Sequence, residues 1–221
     1  RAMKESEALY PAFSKIGTPM VVDVTCASGI FPTKNFSATG EYNPIDRIGV
    51  EVQMTRNIGS EHCYGCPVGC SQLKLAKEGP YAGVLTEGPE FETMYSYGGT
   101  TGVEDIDAII AADRLADELG LDTMSSGVAI AFAMELYEKG ILTKEDTDGY
   151  ELNFGNHEAM IMSGQTGFVR QDEFAAFDGW GGSNLPEGPG EPRGYPEHRR
   201  AFSPDGPLGK WILQNPAVAK V

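Results

Sequence analysis

The chain has 221 residues, of which 41% are hydrophobic and 22% charged, a balance typical of folded globular proteins rather than disordered ones. Asp and Glu number 32 against 17 Lys and Arg, and the formal net charge of −15 argues against a nucleic-acid partner or an anionic membrane surface, because both require a basic face. No run of about 18 apolar residues is present, so we expect no transmembrane helix.

The first part of the chain predicts a helix followed by turns. Residues 1–16 look helical, and the β-branched run Val21–Thr25 predicts a short strand inside the turn-rich stretch 17–58. The chain begins at Arg1 in what reads as the middle of a helix, and no signal peptide is visible. We therefore expect a fragment of a longer polypeptide.

Three cysteines lie close together at Cys63, Cys66 and Cys70, in the spacing C-x2-C-x3-C. The glycines between them permit sharp turns, so that three thiolates can face one metal centre, as in iron–sulfur proteins. Four cysteines are too few for a disulfide framework, which favours a reducing, cytoplasmic compartment.

Two alternatives to an iron–sulfur cluster remain open for this region. A structural zinc is one, with His62 as a fourth ligand, although two adjacent residues chelate one ion awkwardly. A loop without metal is the other. The fourth cysteine, Cys26, is separate, and such a residue is most often a small buried hydrophobe. The fourth ligand of a cluster is therefore not evident.

Residues 87–93, Glu-Gly-Pro-Glu-Phe-Glu-Thr, are called the Glu segment below. They place Glu90 and Glu92 next to apolar side chains. A carboxylate in an apolar site has a raised pKa and can act as a general acid or base. The alternative is a solvated acidic loop.

The clearest helix is predicted from about residue 104 to 119, with acidic residues at its start and Gly120 as a left-handed C-terminal residue. The next helix is predicted to begin at a Ser125 or Ser126 cap and to end at Gly140, and a shorter one to begin at Asn156. The predicted buried stripe of the first helix comprises Ile106, Ile109, Ile110, Leu115 and Leu119.

After about residue 163 the sequence becomes rich in Gly and Pro, and we interpret 178–210 as loop or disorder. The predicted organisation is a helical domain over 1–162 and a Gly/Pro-rich tail over 163–221. We expect a frameshift or truncation of a longer gene to explain the tail.

Together, the cysteine cluster, the Glu segment and Asp-Glu-Leu-Gly-Leu-Asp at 117–122 resemble the tungsten-dependent aldehyde ferredoxin oxidoreductase family. Segments 29–36 and 139–160 are also similar, and the resemblance covers roughly residues 18–162. It implies a mainly α fold, a helical domain with long irregular connections like the second domain of the family and the start of its third.

The resemblance also implies the cofactors: a tungsten (or molybdenum) bis-pterin beside a 4Fe-4S cluster. Cys63, Cys66 and Cys70 match three cluster ligands. The fourth lies in a downstream Asp-x-x-Gly-Leu-Cys motif of the family that this sequence does not have, and the β-rich domain that cradles the cofactor is also missing. We therefore expect the chain alone to be inactive.

Residues 117–122, called the Asp turn below, match the pterin motif of the family, which implies pterin contacts at Asp117, Gly120, Leu121 and Asp122. A carboxylate in the last helical turn opposes the helix dipole by roughly 0.3–1 kcal/mol, and pterin N–H donors would offset this cost. The alternative is a helix end with surface acids.

The catalytic glutamate of the family maps onto the Glu segment, with Glu92 as first choice and Glu90 as second. A catalytic histidine is expected further downstream, but no motif identifies His157 or His198 as its equivalent.

The function implied is oxidation of aldehydes to carboxylic acids, with electrons passed to ferredoxin or to a partner iron–sulfur subunit. A homo-oligomer is compatible with the resemblance. The alternatives are a subunit of a related aromatic acyl-CoA reductase, a non-enzymatic iron–sulfur electron-transfer module, and a zinc-stabilised interaction domain.

Overall fold

The structure is a computed structural model that describes residues 9–147 and 149–165. This part of the chain is mainly helical, with few strands, which confirms the predicted fold class. The predicted loop over 178–210 and nearly all of the predicted tail lie outside the described residues, so the division of the chain near residue 163 stays a prediction.

Two short helices open the described chain, α1 (Leu9–Lys15) and α2 (Met20–Ala27). The first agrees with the predicted N-terminal helix. The prediction of a strand at Val21–Thr25 is wrong, because these residues form α2. Helical spacing buries Val22 and Cys26 on one face, and this packing overrides the β propensity of the branched side chains.

A small antiparallel sheet follows two further helices, α3 (Ile45–Ile48) and α4 (Val50–Met54). The strand order is β1-β2-β3, so the middle strand pairs with both neighbours. A 3-10 turn over Gly79–Tyr81 connects the second strand to the third. The strands are β1 (Asn57–Glu61), β2 (Ser71–Leu75) and β3 (Leu85–Glu87).

After β3 the chain forms one turn of α-helix, α5 (Phe91–Thr93), which continues as a π-helical turn over Met94–Thr100. Hydroxyl groups inside this turn bond to its own backbone, as where Thr100 Oγ1 donates to the Ser96 carbonyl at 2.6 Å. Nearly all of the turn is buried. π-Helical turns occur often at functional sites.

The two long helices α6 (Ile106–Leu119) and α7 (Thr123–Glu138) meet at 116°. Gly120 has φ +68°, which confirms the predicted left-handed end of α6. The predicted serine cap of α7 is wrong, because Asp122 caps it by accepting a hydrogen bond from the Ser125 amide at 2.7 Å. Leu119, predicted to be buried, is 41% exposed.

The last described helix, α8 (His157–Gln165), begins one residue after the predicted start, and Asn156 Oδ1 accepts from the Ala159 amide at 3.1 Å. The core lies where α6, α7 and the π-helical turn pack together. Gly127 of α7 lies so close to the backbone of Ser96 that any Cβ would overlap it. The large side chains with 0 or 1% exposure in this core include Ile48, Met94, Ile109, Ile110, Ile130 and Met134.

Among residues 9–147 and 149–165, no single helix has both the length and the apolar character needed to cross a membrane. Only α6 and α7 taken together meet that test, as a bent pair and by length and composition alone.

Candidate functional site

The three clustered cysteines lie on a loop between β1 and β2, residues 62–70, called the cysteine loop below. The Cys66 amide donates to the Cys63 carbonyl at 2.9 Å, which closes a turn, and the left-handed Gly65 and Gly69 (φ +71° and +65°) reverse the chain. The three thiols are free; Cys63 is exposed, and Cys66 and Cys70 are half-buried.

The imidazole ring of His62 shapes this loop by contacting the loop backbone. Its Nδ1 lies 3.2 Å from the Cys66 carbonyl oxygen, so that nitrogen is the donor. The imidazole ring covers Gly69, where a Cβ would overlap it. The ring nitrogen used in this contact is therefore committed to holding the turn.

The end of the loop at Cys70 is anchored to the N-terminal helices. The turn at Gly17 presses against the Cys70 carbonyl so closely that a Cβ there would overlap it. The buried Gln72 amide lies 3.4 Å from the carbonyls of Ser14 and Cys70, and Asn57 donates to its Oε1 at 2.6 Å.

The donor chemistry of the loop fits a soft, thiolate-bound metal centre. Burial raises the pKa of the Cys70 thiol, and the negative charge of Glu90 raises it further. Within the part of the chain that is described, no three His, Cys, Asp or Glu side chains converge as a metal site. The loop thus carries three thiols of the right chemical type, but the structure does not bring them together as a set of metal ligands.

The Glu segment is held by side chains from three other elements. Thr18, between α1 and α2, donates its hydroxyl to Glu90 and accepts from the Phe91 amide at 3.0 Å. From β2, Lys74 donates to the Pro89 carbonyl at 3.3 Å. Asp113 of α6 accepts a 2.6 Å hydrogen bond from Thr86, the residue just before the segment.

Lys74 and Asp113 are two buried charged groups beneath this segment, with exposures of 1% and 5%. Burial lowers the pKa of Lys74 to about 8, against the opposing effect of Glu90 and Asp113. Burial raises the pKa of Asp113 to about 6, although the hydrogen bond from Thr86 and the charge of Lys74 favour its ionised form.

The two candidate glutamates lie in different surroundings. Glu90 is half-buried and bonded to Thr18, on the side of Cys70 and Lys74. Glu92 is exposed in the first turn of α5. Burial raises the pKa of Tyr95, and Glu92 and Asp122 both add to this shift. The next residue, Thr93, donates its hydroxyl to the Thr123 hydroxyl at 2.9 Å, so Glu92 lies on the side of the Asp turn.

The Asp turn connects α6 to α7. Asp117, Gly120 and Asp122 are exposed there, and Leu121 is half-buried. The Leu121 amide donates to the Ala116 carbonyl at 2.8 Å, which completes the end of α6. Asp122 uses one carboxylate oxygen as the cap of α7. The Asp117 carboxylate makes no hydrogen bond or ion pair with any described residue and remains available to a ligand.

Comparison with known proteins identifies the family of the chain. Residues 1–166 match the family model described as aldehyde ferredoxin oxidoreductase, domains 2 and 3. The chain belongs to the aldehyde ferredoxin oxidoreductase family.

Curated relatives of this family member carry related names. The chain is 37% identical over 147 residues to the tungsten-containing aldehyde ferredoxin oxidoreductase of Thermococcus kodakarensis, covering 66% of this chain and 24% of the relative. It is 38% identical over 148 residues, with the same coverage, to the Pyrococcus furiosus protein of that name. It is 43% identical over 96 residues to the aliphatic sulfonate oxidoreductase, WOR-like subunit, of Pyrococcus furiosus, covering 43% of this chain and 15% of the relative. The chain spans about a quarter of the length of the first two relatives.

Sequence reasoning on this family member missed Thr18, Lys74 and Asp113, the residues that hold the Glu segment. The strand Ser71–Leu75 alternates polar and apolar residues, a pattern that ordinarily turns the leucines inward. The structure shows the inverse, with Gln72 and Lys74 buried and the leucines half-buried. An acidic residue inside the apolar stripe of α6 was the available signal for Asp113.

Proposed function

We propose that this chain forms part of an enzyme that oxidises aldehydes to carboxylic acids with a tungsten (or molybdenum) bis-pterin and a 4Fe-4S cluster. One observation carries the proposal: the Glu segment lies between the cysteine loop and the Asp turn. At one end Thr18, next to the Gly17 that touches Cys70, bonds to Glu90, and at the other end Thr93 donates to Thr123, the residue after Asp122. The tungsten-containing relatives support this choice of metal.

In this proposal Cys63, Cys66 and Cys70 hold three corners of the cluster, and the remaining ligand comes from outside the described residues. Thiolates are the usual ligands of such clusters. The half-buried position of Cys70 lowers the local dielectric around one corner, whereas the exposed Cys63 faces outward. An exposed corner suits electron transfer to ferredoxin or to a partner iron–sulfur subunit.

The Asp turn is the proposed pterin contact. The Asp117 carboxylate would accept hydrogen bonds from pterin N–H groups, and so would the Asp122 oxygen that the cap bond does not use. Gly120 and Leu121 would hold the pterin through their backbone. When bound, the metal–pterin group supplies the redox chemistry, and the protein positions it.

Glu92 is the proposed general acid or base, because it is exposed on the side of the Asp turn and no described residue pairs with it. Its role is to take a proton from the reacting aldehyde or its hydrate and to release it afterwards. The neighbouring rings of Phe91 and Tyr95, with centroids 5.5 Å apart, give the site one apolar wall.

We further propose an oxygen-poor cytoplasmic location.

The relative named as an aliphatic sulfonate oxidoreductase subunit favours a second candidate substrate class, an aliphatic sulfonate. The same chain elements would serve either substrate. Assays with both an aldehyde and a sulfonate distinguish the two classes directly.

The test is a purification, without oxygen, of the full-length enzyme that contains this chain, followed by assays of iron, labile sulfide, tungsten and pterin, and of aldehyde-dependent dye reduction. We expect Glu92→Gln to lower kcat by about 10²–10⁴-fold at unchanged metal content. Glu87→Gln is the matched control, since Glu87 is an exposed glutamate of the same segment. A protein with neither iron and labile sulfide nor pterin would contradict the proposal.

A further inference from the structure

The carboxylate of Glu90 is fixed by the chain rather than free to reach a substrate. It accepts a hydrogen bond from the Thr18 hydroxyl, and the same Thr18 oxygen accepts a hydrogen bond from the Phe91 amide at 3.0 Å. The first residue of α5 is thus locked to the carboxylate that precedes it. A side chain held in this way is poorly suited to repeated proton transfer with a mobile ligand.

The turn that fixes Glu90 also touches Cys70. Gly17 presses on the Cys70 carbonyl, and Thr18, the next residue, bonds to Glu90. Two adjacent residues therefore bring the end of the cysteine loop and the carboxylate together. The effect of Glu90 on the pKa of Cys70 agrees with this geometry.

The negative charge of Glu90 is partly offset by the buried ammonium group of Lys74. Lys74 is 1% exposed, and its ammonium donates to the carbonyl of Pro89, the residue before Glu90. Among the described residues no carboxylate lies within ion-pair distance of this ammonium, so it acts over a longer range on Glu90 and Asp113. A charge buried in this way is screened little by solvent.

We propose that Glu90, held by Thr18 and balanced by Lys74, is a positioning residue that sets the charge beside Cys70 and thereby tunes the reduction potential of the cluster held by the cysteine loop. This inference rests on the proposed function. It separates the two glutamates: Glu92 acts on the substrate, and Glu90 acts on the cluster through its charge.

The two charges have opposite effects on the cluster. Reduction adds one electron, and a nearby carboxylate makes that addition less favourable, which lowers the potential. The ammonium of Lys74 makes it more favourable. Removing each charge separately therefore shifts the potential in opposite directions, which a purely structural role would not do.

The experiment is a redox titration, monitored by electron paramagnetic resonance, of the full-length enzyme that contains this chain, purified without oxygen. We expect Glu90→Gln to raise the cluster potential, Lys74→Met to lower it and Lys74→Arg to keep it near the wild-type value. The amide of Glu90→Gln retains an acceptor for Thr18, so the fold is preserved. Glu92→Gln is the matched control, with lost turnover at unchanged potential.

The inference is overturned if Glu90→Gln leaves the potential unchanged, if both charge removals shift it the same way, or if Glu92→Gln shifts it equally. Should Lys74→Met not fold, Glu90→Gln against Glu92→Gln decides alone. Wild-type protein without iron and labile sulfide overturns the proposed function as well, whereas an intact cluster insensitive to Glu90 overturns this inference alone.

Discussion

The Asp turn lies between two helices with buried faces, whereas the cysteine loop leaves β1, whose side chains are mostly exposed. The Asp turn is defined locally, by the left-handed Gly120 and by the Asp122 cap. The cysteine loop depends on residues far away in sequence, among them Gly17, which touches the Cys70 carbonyl, and Tyr10, whose hydroxyl donates to the Pro67 carbonyl at 3.3 Å. The Asp turn is therefore fixed by the ends of two core helices, while the cysteine loop takes its shape from long-range contacts.

The largest effect is expected from removing the ion pair that joins the segment before β1 to α6. Arg56, just before β1, donates to both carboxylate oxygens of Asp107 in α6, at 3.0 and 2.6 Å. Asp107 is 2% exposed. Arg56→Ala would leave the buried Asp107 carboxylate without its ion-pair partner. We therefore expect the free energy of unfolding, measured by urea denaturation, to fall by about 3–5 kcal/mol.

Arg114→Ala is the control for that experiment. Arg114 pairs with Glu118 four residues along the exposed face of α6, and such pairs contribute only about 0.3–0.5 kcal/mol. Equal losses in the two variants would show that the link between sheet and helix carries no special stability.

A second prediction concerns Asp113, which lies between the two regions. Its folded pKa of about 6 is above the ordinary 3.8, so its contribution to stability is full at low pH and is lost as pH rises through about 6. The loss amounts to at most about 3 kcal/mol. In Asp113→Asn this component disappears, while the amide oxygen still accepts from Thr86.

The measurement is urea denaturation of both proteins between about pH 4 and pH 7. The difference in unfolding free energy, wild type minus variant, should decrease as pH rises. Two parallel curves would contradict the prediction, since the other titrating groups are common to both proteins.

The smallest effect is expected at Asp122, and it tests whether the structure of the Asp turn is independent of the cysteine loop. Asp122→Ala removes the cap of α7 and should cost about 1 kcal/mol, whereas Asp122→Asn should cost much less because it retains the acceptor. The rate at which the cysteine thiols react with a disulfide reagent should stay constant. A faster reaction would show that the two regions are coupled through this turn.

The predictions from sequence succeeded where structure is local. The amphipathic period of α6 and the glycine at its end lie within one short stretch, and both were predicted. The cap of α7 was assigned to serine because serine and aspartate are equally good caps, and only the register of the first turn chooses between them.

Other features depend on contacts across the chain and could not be predicted. The branched residues Val21–Thr25 form a helix because their packing partners require one face at helical spacing. The small sheet was missed because β2 buries its polar residues. The different surroundings of Glu90 and Glu92 arise from Thr18 and Lys74, which no local pattern connects to them.

The close approach of Gly127 to Ser96 has a mechanical consequence. With no side chain between them, α7 and the π-helical turn are in direct contact, with Tyr95 next to this contact in the turn and Asp122 at the cap of α7. An inserted methyl group at position 127 would push α7 away from the π-helical turn and so alter the spacing between Glu92 and Asp122.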